Sequence, residues 1–196
     1  HAPVLLPLQR TRGQAEVVLE QGKLKRLFTQ GSAKAILLAD KRPELVFLNT
    51  SGGLTGGDRL SFALTADRDI TATTQTAERA YKAGEGSARM DVSMDITQGR
   101  LDWLPQETIL FDRSSLRRRS RIRLGAEAEC LVLEAVILGR AAMGEEVRDF
   151  SLQDRREILR GDRPVLVEPL HMDAACLDGP ATLDGHRAFA SLALVA

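Results

Sequence analysis

Two carboxylates interrupt apolar stretches of the sequence and are the first candidates for chemistry. Glu134 lies within ECLVLEAVILGR, and Glu168 lies within PVLVEPL. A buried carboxylate is costly unless it is paired, neutralised or in contact with water. Two interpretations follow: the strands line a hydrated cavity, or the carboxylates form internal ion pairs with an arginine such as Arg140.

A glycine-rich stretch, NTSGGLTGGD at residues 49–58, raises the question of a phosphate-binding loop. Gly52 and Gly57 have the glycine spacing of a Walker loop, but Asp58 stands where that motif needs lysine. A carboxylate there would repel a phosphate, and no helical pattern follows. The stretch instead predicts a sharp corner between strands at 45–50 and 60–66, where glycine permits close backbone approach.

Other familiar chemistries lack their motifs. The sequence has no G-x-S-x-G nucleophile elbow and no zinc-binding spacing of cysteine and histidine. HMDAAC at residues 171–176 is either a site for a borderline metal or a strand end that leads into a loop. Lys+Arg and Asp+Glu both number 27, and this balance argues against a nucleic-acid or anionic-membrane partner.

The elements that must position these residues are predicted to be mainly strands. Hydrophobic residues alternate with period two in ten runs separated by turn residues, which favours a sandwich, barrel or solenoid. Short helices are predicted at 76–83 and 141–146, and a hairpin turn at Gly161 and Asp162. The predicted strand runs are 35–39, 45–50, 60–66, 70–76, 88–96, 117–124, 128–138, 149–158, 165–172 and 188–196.

The run RRRSRIRL at 117–124 has two distinct faces if it is a strand. Its odd-numbered arginines share one face, whereas Arg118 and Ser120 share the other with Ile122 and Leu124. The arginine face is either a surface for an anionic partner or a solvated outer sheet face that also protects an edge.

Four motifs together give the sequence a family resemblance. NTSGGLTGGD, TTQTAERAYKA, WLPQETILFD and LGRAAMGE occur in this order, and the similarity extends from LKRLF at 24–28 to PATLDG at 180–185. In these features the chain resembles the urease accessory protein UreD family, also called UreH. The resemblance implies a β-helical or sandwich-like fold with few short helices. It also implies one β domain over 1–196 that lacks the family's C-terminal portion.

The resemblance further implies a cytoplasmic, non-enzymatic role in urease maturation. Proteins of this family help to deliver nickel to apo-urease, together with the accessory protein UreF and the GTPase UreG. Water-filled tunnels through them are proposed to carry the nickel. For this chain the implied partners are therefore urease, UreF, UreG and transient nickel(II), with no tightly bound cofactor, no nucleic acid and no membrane.

Four carboxylates are the expected lining of such a nickel path: Asp58, Glu134, Glu168 and Glu78. Nickel(II) is a borderline cation that accepts oxygen ligands, and scattered carboxylates would bind it weakly enough to release it. The main alternative is a structural adaptor that links UreF and UreG to urease without carrying metal. A metal-dependent hydrolase is a third hypothesis, and the absence of a clustered ligand motif argues against it.

Overall fold

The computed structural model describes residues 10–38 and 41–196, and these form a mainly β protein, as predicted. Two three-residue 3-10 helices, Ala141–Met143 and Ala174–Cys176, accompany the strands. The strands are β1 Arg12–Glu20, β2 Lys23–Gly31, β3 Ala33–Leu38, β4 Glu44–Asn49, β5 Arg59–Ala66, β6 Ile70–Thr74, β7 Glu78–Ala80, β8 Ala88–Ile96, β9 Arg100–Trp103, β10 Thr108–Leu110, β11 Ser114–Leu124, β12 Glu129–Leu138, β13 Phe150–Arg160, β14 Arg163–Asp173 and β15 Ala188–Val195.

The strands form two sheets between which the chain passes back and forth. Sheet A has the order β14-β13-β11-β8-β5-β1-β2, and sheet B has the order β3-β4-β6-β9-β12-β10-β7 with β15 paired to β12. Strands β1, β5, β8, β11 and β13 are all parallel neighbours, as are β4, β6, β9 and β12. Each time the chain returns to sheet A, its new strand thus pairs in parallel with the previous one, as in a two-sided β-solenoid. We call each such crossing of a sheet a pass. Antiparallel strands form both edges of sheet A and the β3 edge of sheet B, and β15 pairs antiparallel with β12. At the other end of sheet B, β7 pairs parallel with β10.

The core lies between the two sheets because most strands alternate buried and more exposed residues. Strand β8 shows the pattern clearly: its even-numbered residues are inside and most of its odd-numbered ones are exposed. The largest fully buried side chain is Trp103, and the rings of Phe47 and Phe62 stack with centroids 4.7 Å apart. Ionisable side chains that point inward therefore enter an apolar interior.

Three local predictions can be compared with the structure. The turn at Gly161 and Asp162 joins β13 to β14 and is confirmed, as are the two faces of 117–124, where Arg118 and Ser120 are buried. The helix predicted at 76–83 is wrong: residues 78–80 form strand β7, which pairs with β10. Parallel pairing outweighs helix propensity here, and Thr76, with φ of 64°, precedes the strand.

The remaining helix prediction, at 141–146, reduces to the single 3-10 turn at Ala141–Met143. The first two strands, β1 and β2, were not among the predicted runs. Within residues 10–38 and 41–196, no helix has the length and apolar character needed to cross a membrane.

Candidate functional site

Arg118 is the centre of a charged cluster buried between the sheets. It lies on β11 and points inward, where Nε and Nη2 donate to the two carboxylate oxygens of Asp154 at 3.1 and 2.6 Å. Its Nη1 donates to Thr108 Oγ1 at 3.1 Å. Burial alone would lower the pKa of Arg118, but the charges of Glu134 and Asp154 outweigh it and raise the pKa above its ordinary value. The guanidinium therefore stays charged inside the protein.

Glu134 reaches into the same cluster from sheet B and is 3% exposed. Its Oε1 accepts hydrogen bonds from Ser120 Oγ at 3.0 Å and from Trp103 Nε1 at 3.2 Å. Its Oε2 lies 3.3 Å from Arg118 Nη2 and 3.7 Å from Arg156 Nε. Of the two interpretations of this carboxylate, the internal ion pair is therefore the one observed.

The partners of Glu134 differ from the one suggested by sequence. Arg140, the arginine named as a candidate, instead pairs with Glu145 at 3.0 Å near the surface. The arginines that do pair with Glu134 come from β11 and β13 in the opposite sheet. The ion pairs thus connect the two sheets across the core.

Glu168 brings the charged cluster to the surface. It lies on the edge strand β14, where one carboxylate oxygen is 3.1 Å from Arg156 Nη2 and 3.4 Å from Ser191 Oγ. Its side chain is 39% exposed, whereas that of Glu134 is 2% exposed. Arg156 therefore links a fully buried carboxylate to one that solvent reaches.

Glu78 lies in a second polar site, where strand β7 meets the glycine loop, residues 49–58. Asn49 Nδ2 donates to the Glu78 carboxylate at 3.0 and 3.3 Å. Burial raises the pKa of Glu78 to about 7, although hydrogen bonds from Asn49 and the backbone oppose the rise. A small cavity lined by Gly52, Gly53 and Thr76 adjoins the carboxyl. This carboxyl can exchange a proton near neutral pH.

The two polar sites are adjacent at Thr108. Glu78 and Thr108 are register partners on the adjacent parallel strands β7 and β10, so their side chains project to the same side of sheet B. Thr108 in turn accepts the hydrogen bond from Arg118. We call the resulting series the polar path; its members are Glu78, Thr108, Arg118, Asp154, Glu134, Arg156 and Glu168. It crosses the apolar core from the glycine loop to the edge strand β14.

Asp58 has a different setting, at the far end of the glycine loop. It is 4% exposed, and its Oδ1 and Oδ2 accept hydrogen bonds from the backbone N–H groups of Thr11 and Thr55 at 2.7 and 2.8 Å. These bonds fix the loop to the start of β1. The structure therefore brings Glu78, Glu134 and Glu168 into one path and gives Asp58 a separate place.

The polar path has more acidic than basic groups. The path contains four carboxyl groups, from Glu78, Asp154, Glu134 and Glu168, against two guanidinium groups, so it has spare negative charge. In the described ranges, no group of three or more His, Cys, Asp or Glu side chains is arranged to hold a metal ion.

Sequence reasoning missed Asp154, Arg156 and Asn49 as members of these sites. Asp154 and Arg156 share the inward face of β13 with Leu152 and Ile158, and this period-two pattern could have revealed them. Asn49 gave no comparable signal, because its role depends on the contact with β7 some 29 residues later.

The described residues therefore form a two-sheet parallel β-solenoid whose apolar core contains a cluster of buried ion pairs. A model of the family described as UreD urease accessory protein matches residues 11–196. The urease accessory protein UreD of Cereibacter sphaeroides strain ATCC 17025 is 54% identical over 200 residues, covering 96% of this chain and 73% of that relative. The corresponding proteins of Dinoroseobacter shibae and Rhizobium rhizogenes are 46% and 43% identical, and the alignments cover 71% and 72% of their lengths. The chain belongs to the UreD urease accessory protein family.

Proposed function

We propose that this chain is a non-catalytic urease maturation factor that holds the accessory complex on apo-urease and passes nickel(II) through its interior. Its partners in this proposal are urease, UreF and UreG. Nickel is the cargo, bound transiently, rather than a resident cofactor. The relatives' names support the role in maturation, and the polar path supports the passage of the cation.

The observation that carries the proposal is that the members of the polar path succeed one another through an otherwise apolar core. Ionisable groups in such a core are costly, and a purely packed interior would be at least as stable without them. Three candidates from the sequence, Glu78, Glu134 and Glu168, lie along it. Glu78, Glu134 and Glu168 are scattered along the path rather than gathered in a closed ligand set, which suits a cargo that must be released.

A second candidate is the structural adaptor that carries no metal. The favouring observation is that Arg118 and Arg156 already neutralise the charge of Glu134, at 3.3 and 3.7 Å from its Oε2. In this alternative the ionic cluster only ties sheet A to sheet B. The two candidates differ in what the removal of a carboxylate does to nickel transfer.

The experiment is reconstituted activation of apo-urease with the full accessory complex and Glu78→Gln or Glu168→Gln variants. Both changes keep side-chain size and remove a charge at the two accessible ends of the polar path. We expect nickel content of urease to fall severalfold while the complex still assembles by size-exclusion chromatography. Glu16→Gln is the matched control, because Glu16 is also partly exposed and pairs with one arginine, Arg26.

Nickel content equal to that of the unchanged protein in both path variants, with assembly intact, would reject the passage and favour the adaptor. A loss of assembly in both variants with no loss in the control would indicate that the polar path has a structural role only. Because Glu168 lies on an edge strand, its variant tests the passage even if Glu78→Gln folds poorly.

A further inference from the structure

Four arginines form a row across the outer face of sheet A. Arg12 on β1 is the register partner of Arg59 on β5, Arg59 is the partner of Arg89 on β8, and Arg89 is the partner of Arg117 on β11. Adjacent strands lie about 4.8 Å apart, so the row is about 14 Å long. All four residues are exposed. We call them the arginine row.

The arginine row is not neutralised by the protein. Within residues 10–38 and 41–196, none of its four guanidinium groups has an ion pair, although other arginines of the same face do. Arg119 and Arg121 both pair with Glu157, at 3.2 and 2.8 Å, and Arg123 pairs with Asp95 at 3.2 Å. Like charges directly opposite each other on neighbouring strands destabilise a sheet. The fold therefore places four arginines that repel one another beside arginines whose charges are neutralised by carboxylates.

The surface around the row is concave and adds further positive charge. Gly57, Gly86 and Ser87 line a cavity together with Arg59, Arg89 and Arg117 of the row. A Cβ atom on Gly57 would lie only 3.0 Å from Arg10 Nε, so the absence of a side chain makes room for a fifth guanidinium. An anionic group seated in this cavity would meet several guanidinium groups at once.

We infer that the arginine row is a docking surface for an acidic polypeptide segment with two or three carboxylates along one face. Glutamates at positions i, i+4 and i+7 of a helix span about 10 Å, which fits the length of the row. The row lies on the outer face of sheet A, whereas the polar path lies between the sheets. The inference is thus independent of nickel passage.

A nucleic-acid partner fits the same face less well. The chain has no net charge, so it lacks the basic excess that nucleic-acid binders use. The carboxylate of Asp91 follows Arg89 on the same face of β8 and would repel a continuous phosphate backbone that runs along the strand. A short segment with a few carboxylates avoids this group.

The test is fluorescence anisotropy with the full chain and a labelled, alanine-rich helical peptide that carries glutamate at i, i+4 and i+7. A second peptide has glutamine at these positions. We expect the glutamate peptide to bind more tightly than the glutamine peptide. Arg59→Gln/Arg89→Gln should weaken glutamate-peptide binding about five- to tenfold and flatten its salt dependence, because two exposed charge contacts are lost.

The matched control is Lys25→Gln/Arg163→Gln, which removes the same charge from exposed positions on the edge strands β2 and β14. It should change binding by less than about twofold if position rather than net charge matters. Equal weakening in both double variants, or equal binding of the two peptides, would overturn the inference.

Two further outcomes would also overturn it. A single-stranded oligonucleotide bound more tightly than the glutamate peptide, and released by Arg59→Gln/Arg89→Gln, would indicate a nucleic-acid surface. A lower Tm of this variant relative to the control would indicate that the row stabilises the sheet. We expect its Tm to be unchanged or higher, because repulsion within the row is relieved.

Discussion

Among single residues, Glu78 combines an unusual protonation state with a defined set of contacts. Burial raises its pKa from 4.5 to about 7, and the hydrogen bond from Asn49 only partly offsets this. The carboxyl is therefore near the midpoint of its titration at neutral pH. In the proposed nickel passage, an arriving cation would displace this proton at little cost, a property that a fully exposed or permanently ionised carboxyl lacks.

The raised pKa makes a prediction about stability. Because the folded chain binds the Glu78 proton more tightly than the unfolded chain, this contribution is complete below about pH 4.5 and is lost as the pH rises through about 7. Glu78→Gln removes the titration. We expect the free energy of unfolding of the variant, relative to the unchanged protein, to increase between pH 5 and 8 by up to about 3 kcal/mol. Urea denaturation at several pH values measures it.

Glu157→Gln is the control for this titration, because its environment shifts the pKa in the opposite direction. Hydrogen bonds from Arg155 and Arg121 lower the pKa of Glu157 to about 2. Its stabilising effect is present above about pH 4.5 and is lost only as the pH falls through about 2. The difference caused by Glu157→Gln should therefore be constant from pH 5 to 8. A constant difference for Glu78→Gln as well would contradict the assignment.

At the level of elements, the glycine loop is a corner whose glycines are needed for two different reasons. Gly53 has φ of 150°, and a Cβ there would lie 2.5 Å from the ring of Tyr81 and 2.6 Å from the carbonyl oxygen of Arg79. Gly52 has φ of 79° but no atom within 4 Å of its hypothetical Cβ. Close packing against β7 and against Tyr81, the residue that follows it, thus constrains only Gly53.

This contrast gives a matched pair of substitutions within one loop. Gly53→Ala should lower the free energy of unfolding by about 2 kcal/mol or more, because backbone strain and overlap add together. Gly52→Ala should cost about 1 kcal/mol, from the left-handed backbone alone. Thermal or urea unfolding compares them. Equal losses would mean that the contact with Tyr81 is not a constraint.

The elements also show which parts of the fold a sequence reveals. The alternation of hydrophobic and polar residues predicted a mainly β fold and placed Arg118 on the inner face of β11. It could do so because burial of one face imposes period two on each strand separately. Pairing between strands that are distant in the sequence produces no such local pattern. Strand β7 was expected to be helical, because its pairing with β10 is not visible in the local sequence. The partners of Glu134 could not be chosen among the many arginines, because they depend on which strands of the two sheets face each other.

In the whole molecule, the polar path holds the two sheets together with charge as well as apolar packing. Arg118 contributes from sheet A and Glu134 from sheet B, and both are almost fully buried. Such a pair adds little net stability when complete, yet its disruption is severe because the remaining charge stays buried. The buried cluster of Arg118, Asp154 and Glu134 is therefore sensitive to the loss of any one member.

Arg118→Met should accordingly lower the free energy of unfolding by about 3–5 kcal/mol, because Asp154 and Glu134 would lose their shared guanidinium. Arg123→Met, on the same strand, breaks only the exposed pair with Asp95 and should cost less than about 1 kcal/mol. Urea denaturation distinguishes them. Similar losses in the two variants would show that the buried cluster is not a bridge between the sheets.

The stacked passes also determine how the chain can reach this structure. Leu60 pairs with Met90, 30 residues further along, and Met90 pairs with Arg118, 28 residues beyond that. Each new neighbour in the parallel part of sheet A therefore requires closure of a loop that contains a complete pass through sheet B. Loop closure of this kind costs entropy before any pairing energy is gained, and chains rich in such contacts fold on millisecond-to-second timescales. Because every added pass uses the previous one as its template, folding would spread outward from the first pair of parallel strands to associate.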